Sequence, residues 1–440
     1  MSLPTTPYKG ARDFYPQDYF ARQYIFNTWR KIAQRYGYEP YDASVIEPIE
    51  LYQAKTSDEI VSEQTYSFTD RGGREVVLRP EMTPTVSRMV AAKRQELAYP
   101  LRLYSIPNMW RYERPQRGRL REHWQLNVDL FGIDNISAEL EILSLADSIM
   151  QDFGATREMY TIKVNSRSLI NYYMNDYLGL DAVETNTLIK LIDRMHKMDY
   201  PEFAALVSAT ISPSKREQSG SDEKLLSVLG IKNLAELPAE LQNIKSVMEL
   251  KDLIETLQSQ GISNVEFDAS LMRGFMYYTD VVFEVFDNHP DNKRSMFGGG
   301  RYDGLVGNFG VEPLPTIGFG MGDVTIKDFL DSHNLNPKYV STVQATAVLV
   351  GDCYKQALPI IKTLREEGVN LAVDSTGRNL DKKLKAIAKS AVPYAIIIGS
   401  DEISSNLFIL KEMATSKQET HSLERIISIV TANKSDIIIE

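Results

Sequence analysis

The sequence predicts an α+β fold in a large first domain and a smaller α/β domain after it. Three observations carry this expectation. The chain has 440 residues, more than the roughly 250–300 at which a single core stops growing. Residues 41–132 are built of short β-branched or alternating runs separated by Gly, Pro and Asp, the texture of antiparallel strands. The last hundred residues instead alternate strand and helix signals, the order that gives a largely parallel sheet.

Composition narrows the class. Hydrophobic residues make up 43% and charged residues 25% of the chain, with a mean hydropathy of -0.27, which suits packed cores and excludes a disordered or collagen-like chain. No apolar run approaches the roughly 18 residues that cross a bilayer, and residues 1–12 lack the basic-then-apolar order of a secretory signal. A cytoplasmic protein with no membrane partner is expected. The single cysteine, Cys353, excludes an intrachain disulfide, and five scattered histidines offer no HExxH pair, so no protein metal site is expected. A net charge of -10 argues against indiscriminate coating of nucleic acid but leaves room for a locally basic surface.

In order along the chain, residues 18–36 place Phe20, Tyr24, Phe26, Trp29, Ile32 and Ala33 at helical spacing, with Gly37 where a cap would sit. Strands are expected at residues 75–78 and 126–131. A helix at residues 137–151 presents Leu140, Ile142, Leu143, Leu145, Ala146 and Ile149 on one face. From about 168 to 261 the texture is helical and polar, with Leu188, Ile189, Leu191, Ile192 and Met195 in register. This predicts a helical insertion, and its Ser/Lys/Glu stretch at 212–224 predicts a mobile loop. Strand texture returns at 267–286. The domain is drawn at 1–330, a linker at 331–342 and the α/β domain at 343–440, with strands at 345–350, 369–373 and 394–398 and helices at 354–367 and 380–391.

Several segments carry chemistry. Arg111, Arg114, Arg117, Arg119 and Arg121 fall within eleven residues around a Pro115/Gly118 turn, where guanidinium groups suit bidentate phosphate contact. On the strand that follows, alternation puts Gln125, Asn127 and Asp129 on one face, amide and carboxylate groups fit for a small polar ligand. In Leu271-Met-Arg273-Gly-Phe-Met276-Tyr277-Tyr278-Thr279, an arginine precedes paired tyrosines, and a buried Arg273 would need an anionic partner. The glycines of Gly299-Gly-Arg-Tyr302-Asp-Gly304 let backbone approach a ligand. Gly318, Gly320 and Gly322 lack the βαβ context of a dinucleotide fingerprint and read as close backbone packing at a strand-to-helix junction.

Taken in order, these segments resemble a class II aminoacyl-tRNA synthetase and, within that class, the histidyl-tRNA synthetase family. Gly10-Ala-Arg-Asp-Phe-Tyr-Pro16 is similar to its opening, Val45-Ile-Glu-Pro-Ile-Glu50 to class II motif 1 at the dimer interface, and residues 111–129 to motif 2. The two segments around Arg273 and Tyr302 are similar to the histidine-specific signatures. The resemblance implies a homodimeric, cytoplasmic ligase that activates L-histidine with ATP and Mg2+ and transfers it to tRNA(His). It assigns Glu81 and Thr83 to the substrate α-amino group, and Gln125, Asp129, Tyr277, Tyr278 and Tyr302 to the rest of histidine. Arg111 and Arg273 fall on the α-phosphate as catalytic groups, with Arg119 and Arg121 toward the nucleotide. The last hundred residues resemble an anticodon-binding domain. A related reading is the histidine-sensing regulatory subunit of ATP phosphoribosyltransferase, which typically lacks that last domain. Two positions depart from the pattern: Thr325 stands where motif 3 carries an arginine, and Met276 where the signature commonly has Asp.

Overall fold

The computed structural model describes residues 3–53, 64–195, 198–272, 277–292 and 294–432. The chain divides into two compact units, residues 1–14 with 24–336 and residues 15–23 with 337–440.

The first unit contains β1 (Glu39–Pro40), β2 (Ile46–Pro48), β3 (Tyr66–Thr69), β4 (Glu75–Leu78), β5 (Leu101–Ser105), β6 (Asn108–Trp110), β7 (Glu122–Phe131), β8 (Tyr160–Ser166), β9 (Val265–Phe267), β10 (Val281–Asp287), β11 (Ser295–Arg301) and β12 (Thr316–Gly322). Among the described residues its main sheet runs β1-β5-β7-β12-β11-β10-β8-β9, with β6 on β7, and a small sheet runs β2-β4-β3. Pairing is antiparallel except for β1 with β5 and β8 with β9. The mixed, mainly antiparallel sheet is the α+β architecture that the sequence predicts.

β7 shows how sequence sets the layers. Its even positions Leu126, Val128 and Leu130 are at most 1% exposed and join Trp29, Ile32, Ile142 and Leu145 in the main core. Those partners come from the helices Pro16–Arg35 and Ser137–Asp152. Full burial of each such side chain contributes about 1.5–3 kcal/mol relative to exposure, which pins the register of β7 and commits its odd positions to the opposite face.

The helical insertion forms as expected, with helices such as Ala182–Asp193, Tyr200–Thr210 and Lys245–Ser259. The loop expected at 212–224 is corrected: this stretch folds as two helices, Pro213–Ser219 and Ser221–Leu229. Pro213 starts the first, where its missing N–H costs nothing, and Gly220 at φ +60° provides the left-handed joint between them. Leu225, Val228 and Leu229 are buried by this turn of events, the few apolar residues of a polar segment.

The second unit carries β13 (Ala345–Leu349), β14 (Leu371–Asp374), β15 (Tyr394–Ile398), β16 (Phe408–Glu412) and β17 (Gln418–His421), ordered β14-β13-β15-β16-β17. The first three are parallel, as read from the sequence; β16 and β17 extend the sheet antiparallel and were not read from it. Lys383, in the helix Leu380–Lys389, is only 3% exposed and donates to the Leu349 carbonyl at 2.6 Å, so it serves the fold.

Candidate active site

Where the odd face of β7 meets the tyrosines of the β10–β12 side, acids and rings converge. The Tyr302 hydroxyl donates to Asp129 Oδ1. Tyr277 packs edge-on against Tyr302 with centroids 5.7 Å apart, leans on Tyr278 at 4.9 Å, and donates to Glu81 Oε2 at 3.3 Å. Two buried carboxylates, each 3% exposed, are thus joined through two aromatic side chains from distant parts of the chain.

Glycine makes this approach possible. A Cβ at Gly318 would lie 2.6 Å from Asp129 Oδ1 and 3.1 Å from the Tyr302 hydroxyl, and one at Gly320 would lie 2.7 Å from Gln125 Nε2. β12 pairs with β7 so that Gly318 faces Asp129 and Gly322 faces Gln125. The glycine run therefore clears space above the polar face of β7; its role as close backbone packing is the one the sequence suggested, with the site as the reason.

Electrostatics follow from burial. Removal from water raises the Asp129 carboxyl to about 7 against the opposing hydroxyls of Tyr302 and Tyr41. Tyr302 is itself raised by burial and by the Asp129 charge. Among the described residues, Asp129 Oδ2, the Tyr41 hydroxyl and the Ser105 hydroxyl are buried beside one another and fall short of full hydrogen-bond geometry. Buried polar atoms short of full hydrogen bonding cost free energy, and a polar ligand that paired with them would recover it.

The Glu81 side is held from behind. Tyr52 donates to the Glu81 carbonyl at 3.3 Å and pairs with Thr85 at 3.1 Å. Buried Arg79 donates to the Ala43 carbonyl at 2.7 Å and the Asn108 carbonyl at 3.1 Å. Thr83 opens the helix Thr83–Ala92 and is half-buried. Arg111 donates from Nε to the Pro80 carbonyl at 2.9 Å, next to Glu81, which brings the arginine segment to the edge of the pocket.

The other candidates stand apart from this group. Arg119 is half-exposed and pairs with Glu113 at 3.4 Å. Arg121 lies 4.0 Å from the Tyr112 ring and donates to the Tyr8 hydroxyl at 2.9 Å and the Glu113 carbonyl at 3.1 Å. Arg273 and Met276 lie outside the described residues. Thr325 donates to the Met296 carbonyl at 2.8 Å.

Sequence reasoning passed over His123, Tyr41 and Ser105. His123 shares the odd face of β7 with Gln125, and two-residue periodicity alone would have found it. Burial, then the fields of Arg111 and Arg12, push its pKa down to about 3, so the ring is neutral. Arg12 is anchored beside it on Asp323 at 2.7 Å. Among the described residues no group of three His, Cys, Asp or Glu could hold a metal ion, and no helix is long and apolar enough to cross a membrane.

Chemically, the pocket offers a carboxylate to an ammonium at Glu81, an acceptor and aromatic walls to a flat polar ring at Asp129, and a cation at the rim. Comparison with known proteins gives this chemistry its context. Residues 10–323 match the histidyl-tRNA synthetase family profile, and residues 339–433 match the anticodon binding domain. The chain belongs to the histidyl-tRNA synthetase family. It is 42% identical over 424 residues to the histidine–tRNA ligase of Leptospira biflexa, covering 96% of each chain, and 35% identical over 436 residues to that of Thermoplasma volcanium, covering 97% and 98%. The crystal structure of histidyl-tRNA synthetase from Nostoc sp. PCC 7120 shares the fold, with a TM-score of 0.80 at 20% identity over 98% of this chain and 100% of that one. Membership in the histidyl-tRNA synthetase family makes the chain an aminoacyl-tRNA synthetase with an α+β class II catalytic fold and an anticodon-binding domain.

Proposed function

We propose that the chain ligates histidine to tRNA(His) and that the pocket between Glu81 and Asp129 is its histidine site. The observation that carries this reading is the joined set Glu81–Tyr277–Tyr302–Asp129. It spaces one acid for an α-ammonium from another whose second oxygen accepts an imidazole N–H. In this assignment Glu81 and Thr83 hold the amino group, Gln125 and Asp129 orient the side chain, and Tyr277, Tyr278 and Tyr302 enclose the ring. A wrong amino acid leaves Asp129 and its neighbours unpaired, which is the strong form of discrimination.

In the first step the histidine carboxylate attacks the ATP α-phosphorus and pyrophosphate leaves, with Arg111 and Arg273 stabilising the charge that develops. The nucleophile is already ionised, so no general base is required, and rate comes from positioning and electrostatics. Arg119 and Arg121 act toward the nucleotide once it is bound. In the second step a ribose hydroxyl at the tRNA 3′ end attacks the acyl carbon and AMP leaves. Mg2+ supplies charge neutralisation on the leaving pyrophosphate. Lacking a three-ligand cluster of its own among the described residues, the site fits an ion carried by the phosphates.

In the same reading, residues 1–330 are the catalytic domain with a helical insertion at about 168–261, 331–342 a linker and 343–440 the tRNA-reading domain. The enzyme is a cytoplasmic homodimer, its motif 1 face offering exposed Val45 and Ile46. The sensor alternative lacks support, because residues 339–433 match the anticodon binding domain. The experiment is acid-precipitable charging of tRNA(His) with labelled histidine: charging that depends on ATP supports the reading, and histidine binding without charging overturns it.

A further inference from the structure

We propose that the insertion turn at residues 230–232, through Lys232 and Asp268, is a positioning element for the histidine pocket. Among the described residues, the ion-pair partner of Lys232 is Asp268 and not one of the pocket side chains. Its Nζ lies 2.5 Å from Asp268 Oδ2, and the Ile231 carbonyl accepts from the Ala269 N–H at 3.2 Å. Two adjacent residues of the insertion thus grip two adjacent residues of the segment 268–272.

That segment is fixed from the other side by the main sheet. Lys163 in β8 reaches the same Asp268 oxygen at 3.0 Å, and Asp268 N–H donates to the Val164 carbonyl at 3.0 Å. Its neighbour Asn165, 1% exposed, spends its amide on the Ala269 and Leu271 carbonyls at 3.3 and 3.2 Å. The Ser270 hydroxyl and N–H occupy Asp268 Oδ1 at 2.6 and 3.0 Å. Although burial works the other way, Lys232, Ser270 and Lys163 together hold the Asp268 carboxyl below its ordinary value. Asp268 is charged, and its side chain is 5% exposed.

The segment ends in the pocket. Leu271 packs in one cluster with Tyr277, Tyr278 and Tyr302, the rings that enclose the proposed ligand. A small apolar cavity of about 20 Å³ lies between the insertion and this segment, lined by Leu225, Val228 and Leu241 on one side and Ala269 and Met272 on the other. Beside that apolar packing, the directional Lys232–Asp268 contact ties the insertion to a segment that the main sheet already holds. An insertion displaced by its own ligands would pull on Asp268 and so on the tyrosines.

This inference rests on the histidine-site reading above. The experiment is ATP–pyrophosphate exchange in the full chain at varied histidine and ATP, with Lys232→Met, Lys232→Arg and Asp268→Asn, and thermal unfolding of each. Lys232 is half-exposed, so Lys232→Met should unfold within about 2 °C of the parent. Its kcat/KM for histidine should fall about 10-fold or more while the KM for ATP stays within about two-fold. Lys232→Arg should restore most of the loss, and Asp268→Asn should reproduce it. A Lys232→Met protein with unchanged kcat/KM for histidine overturns the inference alone. Equal losses toward both substrates that track a lowered unfolding temperature also overturn it, since they describe a structural role only. Absence of histidine-dependent exchange in the parent protein overturns the reading of the site, and this inference with it.

Discussion

Tyr302 hydrogen-bonds Asp129 at the floor of the pocket, and the second carboxylate oxygen there, in a carboxyl beside the buried Tyr41 hydroxyl, falls short of full hydrogen-bond geometry. One oxygen is held and one is offered. Removing the held contact leaves a buried carboxyl with less support. Tyr302→Phe should lower stability by about 1–3 kcal/mol and cut histidine activation more than ATP binding. Urea unfolding and exchange kinetics check the two effects separately.

Asp129 also gives the protein a pH signature. Its carboxyl is raised to about 7 in the fold by burial, against about 3.9 in an unfolded chain. Between those values the folded state holds the extra proton, so this group's contribution favours folding at low pH and is lost as pH rises through about 7. Asp129→Asn removes that slope. The variant should gain on the parent in unfolding free energy as pH goes from about 5 to 8, by an amount of order a few kcal/mol at most. Parallel curves for the two proteins would contradict the assignment.

His123 should behave in the opposite sense. With its pKa pushed down to about 3 by burial and by Arg111 and Arg12, its ring resonances should not titrate between about pH 5 and 8. Arg111→Met should bring the midpoint upward, measured by NMR of the imidazole protons.

Thr325 is a seat for the arginine loop. A Cβ on Gly118 at the loop tip would lie 3.6 Å from Thr325 Cγ2, and Arg117 donates to Ser332 on the same helix at 3.1 Å. A long side chain at 325 would occupy that space. Thr325→Arg should therefore raise the KM for ATP about 10-fold rather than improve it, while Thr325→Ser stays near the parent. A gain in kcat for Thr325→Arg in exchange assays would refute the seating.

Arg301, adjacent to Tyr302, donates to Glu139 at 2.6 and 2.8 Å with both side chains almost fully buried. Arg301→Leu should cost about 3–5 kcal/mol by stranding Glu139, and Arg301→Leu with Glu139→Leu should recover part of it. Denaturant midpoints of the three proteins decide this.

How far the sequence carried these features depends on their range. The face of β7 was legible because alternation is local: Gln125, Asn127 and Asp129 fall together once the even positions are apolar. The two signatures were legible through family resemblance, and the meeting of Glu81 with Tyr277, 196 residues away, was not visible in spacing. The helices at 213–229 are hidden by polar composition around four buried positions, and Pro213 and Gly220 read as loop residues when one opens a helix and the other caps it. Arg121 was assigned to the nucleotide by resemblance. Its guanidinium rests on tyrosines 112 and 8, one of them from the distant N-terminal segment.

The most direct test of the central claim is ATP–pyrophosphate exchange by the full chain with each of the twenty amino acids in turn, alongside Arg111→Ala and Arg273→Ala. Exchange with histidine alone, lost in both variants, is the expected result. Exchange with a different amino acid, or none in folded protein, would contradict it.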